Sequence, residues 1–205
     1  MTDSDQMAEQ EYWDQRYRDG ELPWDTGRPD IYLTDLIGTW PPCRGKVLEI
    51  GCGTGTNAVW LAGQGFDVTG IDIARQAVEV AEKRSRQAGV VCEFVCDNFL
   101  TSPLSSNTYI FAFDRGCFHA ISDMAGRRRF VRRVAQCLQS AGIWFSLIGN
   151  PDDGQDDGPP RLTAREIALL VEEHFEILRL SSGLIESRRE VSPRFWQCLL
   201  RKRPH

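Results

Sequence analysis

Two hydrophobic periods alternate along this chain. From Lys46 onward, apolar runs of strand length are separated by stretches whose apolar positions recur every three to four residues. The runs KVLEI (46–50), DVTGIDI (67–73), VVCEFV (90–95), YIFAFD (109–114) and GIWFSLIG (142–149) are predicted strands. Residues 56–65, 75–88 and 123–139 are predicted helices, the second with Val78, Ala81 and Ala88 among its apolar positions. Near-continuous apolar strands separated by helices imply an α/β fold with a parallel sheet covered on both faces. After residue 149 the pattern breaks into NPDDGQDDGPP (150–160), too rich in Asp, Pro and Gly for a regular element. Thr163 and Glu166 then form a T-x-x-E capping box that starts a helix through about His174. FEILRL (175–180) and RFWQCLLR (194–201) complete a set of about seven strands. Ahead of Lys46, residues 9–19 predict a short helix ended by Gly20, and ELPWDTGRPD (21–30) a turn-rich segment. IYLTDLIGTW (31–40) predicts a second helix with Ile31, Leu33, Leu36 and Ile37 on its buried face, closed by Pro41 and Pro42.

Composition narrows the class. A chain of 205 residues, 41% hydrophobic, is expected to be one domain with a full core. No apolar run reaches the ~18 residues of a membrane helix, and the polar, acidic start has no signal-peptide pattern. The net charge of -5 argues against a nucleic-acid binder. The 7 cysteines are odd in number and form no C-x-x-C pair, so the expected setting is a reducing cytoplasm with mostly buried thiols and no metal. The four aspartates of 150–160 lack calcium-loop spacing, and Arg127, Arg128, Arg129, Arg132 and Arg133 are expected on a solvated helix face.

The stretch VLEIGCGTGTNAVWLA (47–62) carries the chemistry. Gly51, Gly53 and Gly55 lie between a strand and a helix, where the backbone can turn tightly and approach a ligand beside free helix amides. Asp72 ends the following strand, the usual place for an acid that accepts hydrogen bonds from ribose hydroxyls. A dinucleotide loop needs G-x-G-x-x-G/A, but Thr56 stands where the third small residue is required.

The observed pattern, E-x-G-x-G-x-G from Glu49, resembles motif I of class I S-adenosylmethionine-dependent methyltransferases. The resemblance covers roughly residues 45–150 and implies a Rossmann-like doubly wound sheet with an antiparallel C-terminal strand. It implies one methyltransferase domain, 1–205, with 1–45 as a helical lid segment and 46–205 as the core. It assigns Glu49, Gly51, Cys52, Gly53, Gly55, Asn57, Asp72 and Ile73 to the cofactor's methionine, ribose and adenine. Asp97, Asn98 and Phe99, after the third strand, would hold and cover the adenine, and Asp114 would face the methionine end.

Two further segments, YWDQRYRDGELPWDTGRPD (12–30) and FDRGCFHAI (113–121), resemble the branch containing thiopurine methyltransferases and bacterial thiol, halide and tellurite methyltransferases. In that branch an N-terminal helix and an aromatic loop cover the cofactor, which implies cofactor roles for Trp13 and Trp24, with Tyr17 at a matching aromatic position. The expected activity is methyl transfer from S-adenosylmethionine to a small molecule, favouring a thiol or other soft nucleophile and yielding S-adenosylhomocysteine. Other expectations are O- or N-methylation of a small metabolite, or a nonenzymatic S-adenosylmethionine-binding protein. Arg115 is expected to stabilise an acceptor thiolate and His119 to take a proton if one must be removed.

Overall fold

The changes of hydrophobic period mark element boundaries in the computed structural model, which describes residues 3–39, 44–153 and 160–204. Trp40, Pro41, Pro42 and Cys43 and most of the acidic loop lie outside the described residues. The elements are α1 (Asp3–Asp19), α2 (Ile31–Thr39), β1 (Lys46–Ile50), α3 (Thr56–Gly63), β2 (Asp67–Asp72), α4 (Arg75–Ala88) and β3 (Cys92–Cys96). They continue with β4 (Tyr109–Arg115), α5 (Cys117–Ala120), α6 (Met124–Cys137), β5 (Leu138–Gly149), a 3-10 turn at Pro151–Asp153, α7 (Ala164–Val171), β6 (Phe175–Leu184) and β7 (Arg194–Lys202).

The strands form a seven-stranded sheet in the order β3-β2-β1-β4-β5-β7-β6, a Rossmann-like topology. β7 pairs antiparallel with both β5 and β6. The chain folds as two compact units, Met1–Ser102 with Ser187–Arg189, and Pro103–Glu186 with Glu190–His205.

In the first unit, β1 pairs parallel with β2 (Ile50 opposite Ile71) and β2 with β3 (Asp72 opposite Cys96). Their carboxyl ends, including Ile50, Asp72 and Cys96, therefore share one edge, where α/β sheets bind ligands. Val47, Leu48, Ile50, Leu61 and Ile71 form the dry interior beneath it.

In the second unit, β4 and β5 pair parallel, placing Arg115 opposite Leu147. Their core is aromatic: Trp144 packs within 5.4 Å of Phe118, 6.0 Å of Phe130 and 5.3 Å of Phe175, centroid to centroid.

Several expectations shift. Ile31 is exposed, so α2 buries only Leu33, Leu36 and Ile37. Ala88 is exposed in the last turn of α4, and Ser85 takes the buried place by donating its hydroxyl to the carbonyl of Val90. Arg127 is buried rather than solvated, because its Nε donates to the Ile121 carbonyl. The helix after Thr163 stops at Val171, short of His174. The four-residue helix α5 was not expected, since a single turn carries no readable period.

The capping box forms as the sequence predicts: Thr163 accepts from the Glu166 N–H, and Glu166 accepts from the Thr163 N–H at 2.8 Å. Thr163→Ala is expected to cost about 1 kcal/mol, read as a fall of a few degrees in the thermal midpoint.

Candidate active site

The glycine loop is shaped by backbone geometry before any ligand is considered. Gly51, Gly53 and Gly55 all have positive φ, at 67°, 52° and 76°. The amides of Gly51 and Cys52 both donate to the Ile71 carbonyl, which ties the loop to the end of β2. Asp72 completes the tie: one carboxylate oxygen accepts from Gly53 N–H at 2.8 Å and the other from Ala74 N–H at 2.9 Å. Burial raises the Asp72 pKa, and these backbone donors oppose that rise. Beneath the loop, Asn57 donates to the buried Glu49 carboxylate at 3.0 Å and accepts from Asp30 N–H at 2.8 Å. Asn57 and Glu49 thus fasten the start of α2 to β1 and α3.

The N-terminal segment lies directly on this loop. A β-carbon on Gly53 would come within 2.9 Å of the Tyr17 hydroxyl. Thr54 donates its hydroxyl to Asp25 at 2.8 Å, and Asp14 accepts from the Gln76 N–H at 3.0 Å. Trp24 meets Trp13 and Tyr17 edge-on, with centroids 5.9 and 6.4 Å away, and carries the Arg16 guanidinium over its ring at 4.8 Å. Burial raises the Tyr17 pKa well above its ordinary value, and the nearby negative charge of Asp72 adds to the rise. Aromatic rings, a buried carboxylate and glycines without β-carbons meet here, a combination that suits a positively charged, part-apolar group.

At the third strand end, Asp97 accepts from Asn98 N–H and Asn98 accepts from Leu100 N–H. This local turn holds Phe99 in a buried position.

In the second unit, the segment after β4 folds onto its own core. Asp114 is fully buried, accepting from Phe118 N–H at 3.0 Å and from Trp144 Nε1 at 2.9 Å. Its carboxylate anchors α5 to β5, which corrects the expectation that it contacts the cofactor. Arg115 donates to the Glu186 carbonyl at 2.6 Å. His119 is buried, and its Nδ1 accepts from Gly149 N–H at 2.9 Å. Its proton therefore sits on Nε2. Burial, with the charges of Arg127, Arg161 and Arg115, pushes its pKa down to about 3. The expectation that His119 takes a proton is corrected: the imidazole is a neutral donor at physiological pH.

Burial pushes Asp114 the other way, up to about 6. The two shifts have opposite signs in stability. His119 stabilises the fold above its unfolded pKa of about 6.5, and this is lost as pH falls toward 3. Asp114 favours the fold below its unfolded pKa of about 3.8, and this is lost as pH rises through 6. The two contributions nearly cancel between pH 6 and 4, so the larger histidine shift leaves denaturant midpoints falling only slightly there and more clearly below pH 4. His119→Asn, which keeps an acceptor for Gly149, leaves Asp114 alone and should make the midpoints rise as pH falls from 6 to 4; an unaltered profile would reject the assignment.

The family model described as thiopurine S-methyltransferase (TPMT) matches residues 8–198. The chain belongs to the thiopurine S-methyltransferase family. It is thus a class I methyltransferase that uses S-adenosylmethionine. It is 30% identical over 169 residues to thiopurine S-methyltransferase of Bordetella petrii, covering 73% of this chain and 75% of that protein. Against "Probable thiol methyltransferase 2" of Arabidopsis thaliana it is 28% identical over 151 residues, 72% of this chain. That match spans 65% of the Arabidopsis protein, just under two thirds of its length. A solved structure from work on conversion of a disulfide bond into a thioacetal group during echinomycin biosynthesis shares the fold. Its TM-score is 0.84 at 22% identity, covering 95% of this chain and 92% of that one.

Of the site residues expected from the family resemblance, Trp13, Trp24, Glu49, Gly51, Cys52, Gly53, Gly55, Asn57 and Asp72 gather on and under one loop in the first unit. Ile73 and Asp97 to Phe99 follow the neighbouring strand ends. Asp14, Asp25 and Thr54 were missed, although they make contacts that seat this chain's N-terminal segment. Asp25 was visible as a turn residue beside Trp24, but nothing in its spacing named Thr54 as its partner.

Proposed function

We propose that this chain transfers the methyl group of S-adenosylmethionine to a small thiol or comparably soft nucleophile. The observation that carries the reading is the union of the glycine loop, Asp72 and the aromatic N-terminal segment on one surface, in a chain of the thiopurine S-methyltransferase family. The names of its relatives support sulfur as the accepting atom.

Under this reading the bound cofactor supplies an electrophilic methyl on a sulfonium. Asp72 accepts the ribose hydroxyls, and Ile73 with Asp97, Asn98 and Phe99 holds the adenine. Gly51 to Gly55 let the backbone approach the methionine portion, with Glu49 and Asn57 fixing the loop. Trp13, Tyr17 and Trp24 exclude water, which strengthens the electrostatics around the sulfonium. Displacement at a methyl carbon needs alignment of nucleophile, carbon and leaving sulfur, and positioning can supply several kcal/mol of the barrier. A thiol has a reference pKa of about 8.5, so a nearby guanidinium suffices to favour thiolate without a general base. Arg115 is assigned that role. A neutral His119 whose Nδ1 lone pair is taken up by the Gly149 N–H agrees with chemistry that requires no protein base.

The test is an acceptor screen with labelled S-adenosylmethionine, spanning small thiols, phenols and amines. Label should move to thiols; transfer only to oxygen or nitrogen acceptors would replace this reading with methylation of another small metabolite. Arg115→Ala is expected to lower kcat by about tenfold or more while changing S-adenosylhomocysteine affinity little. Equal losses in both would make Arg115 a cofactor or structural residue.

A further inference from the structure

In the first unit, the turn that carries Trp24 is tied to the glycine loop through two hydroxyls that lead on to a charge on α4. Asp25, next to Trp24, has both carboxylate oxygens engaged. One accepts from Gly27 N–H at 3.0 Å, which fixes the carboxylate to its own turn; the other accepts from the Thr54 hydroxyl at 2.8 Å. Thr54 is buried, and its hydroxyl oxygen lies 3.4 Å from that of Thr56. The Thr56 oxygen in turn accepts from the Arg84 guanidinium. Among the described residues no acidic side chain pairs with Arg84, so its charge is directed at a hydroxyl.

The direction of each link is forced. A carboxylate only accepts, so the single hydroxyl proton of Thr54 belongs to Asp25. Thr54 can then only accept from Thr56, which uses the one proton that Thr56 has. Thr56 is left as an acceptor, the role that a donor-only guanidinium requires. A positive and a negative side chain therefore terminate one chain of hydrogen bonds, all oriented the same way. In such a chain each bond polarises the next, so the Thr54–Asp25 bond depends on an arginine that bonds to neither partner. The arginine has a firm base. Ala81, one turn before it on α4, packs so closely that a β-carbon on Gly55 would stand 2.7 Å from its own Cβ. The hydroxyl–hydroxyl contact is the longest link, which makes Thr56 the place where the chain is most easily cut.

We propose that Arg84 is a positioning residue: acting through Thr56 and Thr54, it orients the hydroxyl that holds Asp25 and so keeps the Trp24 turn seated on the glycine loop. Its effect on cofactor binding rests on the reading that the N-terminal segment covers S-adenosylmethionine. Arg84 touches neither the aromatic cluster nor Asp72, and its influence reaches the cofactor only through the order of that segment.

The test uses the full chain and two readouts. Calorimetry gives the affinity for S-adenosylhomocysteine. The initial rate of chymotrypsin cleavage after Trp24, without ligand, reports how firmly the turn is held. Arg84→Met and Thr56→Val cut the chain at different links, so either serves if the other variant fails to fold. Each should weaken S-adenosylhomocysteine binding about three- to tenfold and speed cleavage by a similar factor. Thr56→Ser keeps the hydroxyl and should behave as wild type. Arg84 and Asp25 do not bond to each other, yet their substitutions should not add: Arg84→Met should have little further effect in an Asp25→Asn chain. It should likewise have little effect in a Thr56→Val chain.

Fully additive effects of Arg84→Met and Asp25→Asn overturn the proposal, because a merely structural arginine would give that result. So does a Thr56→Ser variant as impaired as Thr56→Val. Wild-type cleavage rates combined with weakened ligand binding would reject the relay and leave the cofactor-covering reading standing. Faster, non-additive cleavage at unchanged S-adenosylhomocysteine affinity would sustain the relay and reject the cofactor-covering reading.

Discussion

Asp72→Ala is expected to weaken S-adenosylhomocysteine binding by roughly a hundredfold or more, the largest effect of any single change in the cofactor site. The carboxylate is buried and holds two backbone amides, Gly53 at 2.8 Å and Ala74 at 2.9 Å. Truncation removes the proposed ribose partner and leaves both amides without an acceptor. Each unsatisfied group costs about 1–3 kcal/mol, so the thermal midpoint should fall as well. Asp72→Asn separates the contributions. It keeps the volume and one acceptor oxygen, so it should recover much of the stability while remaining weak toward the ligand. Calorimetry on both variants decides the matter, and wild-type affinity in the alanine variant would remove Asp72 from the ribose assignment.

Gly55→Ala is expected to destabilise the protein by about 3 kcal/mol or more, lowering the thermal midpoint by roughly 10 °C. Two costs combine. At φ 76° an L side chain is strained by about 1–2 kcal/mol. The new methyl would also sit 2.7 Å from Ala81 Cβ, 3.0 Å from its Cα and 3.2 Å from Phe94 Cζ. Ala81 belongs to α4, whose backbone cannot retreat without disturbing its packing on β3. Gly20→Ala is the comparison: its φ is similar at 72°, but nothing lies within 4 Å of the added carbon. It should show the conformational cost alone, about 1–2 kcal/mol. Equal destabilisation at the two positions would reject the packing explanation.

The parts of the fold legible in the sequence are those governed by local periodicity. α4 begins and ends where its pattern does, closed by Gly89 at φ 68°. The Thr163 capping box is local chemistry at a spacing of three and was readable for that reason. The glycine loop was legible because positive φ demands glycine, so backbone conformation leaves a compositional trace. Contacts between distant segments leave no such trace. The Asp25 carboxylate meets Thr54 across 29 positions, and Asp14 meets Gln76 across 62. The fates of Asp114 and His119 were also hidden. Strand order places both near a ligand-binding edge, yet the direction of each side chain depends on Trp144 and Gly149, thirty residues away in each case. Ser85 illustrates a smaller failure, since a serine that donates forward to the Val90 carbonyl just past its helix end can replace an apolar residue in the core.

The Tyr17–Gly53 approach and the Asp25–Thr54 bond make the order of the N-terminal segment and the shape of the glycine loop a single linked equilibrium. Linkage of this kind is reciprocal: a ligand that steadies the loop must shield residues 12–30 from cleavage by the same factor that those residues tighten its binding. Protease susceptibility of the segment therefore titrates cofactor occupancy, with no label and no knowledge of the methyl acceptor.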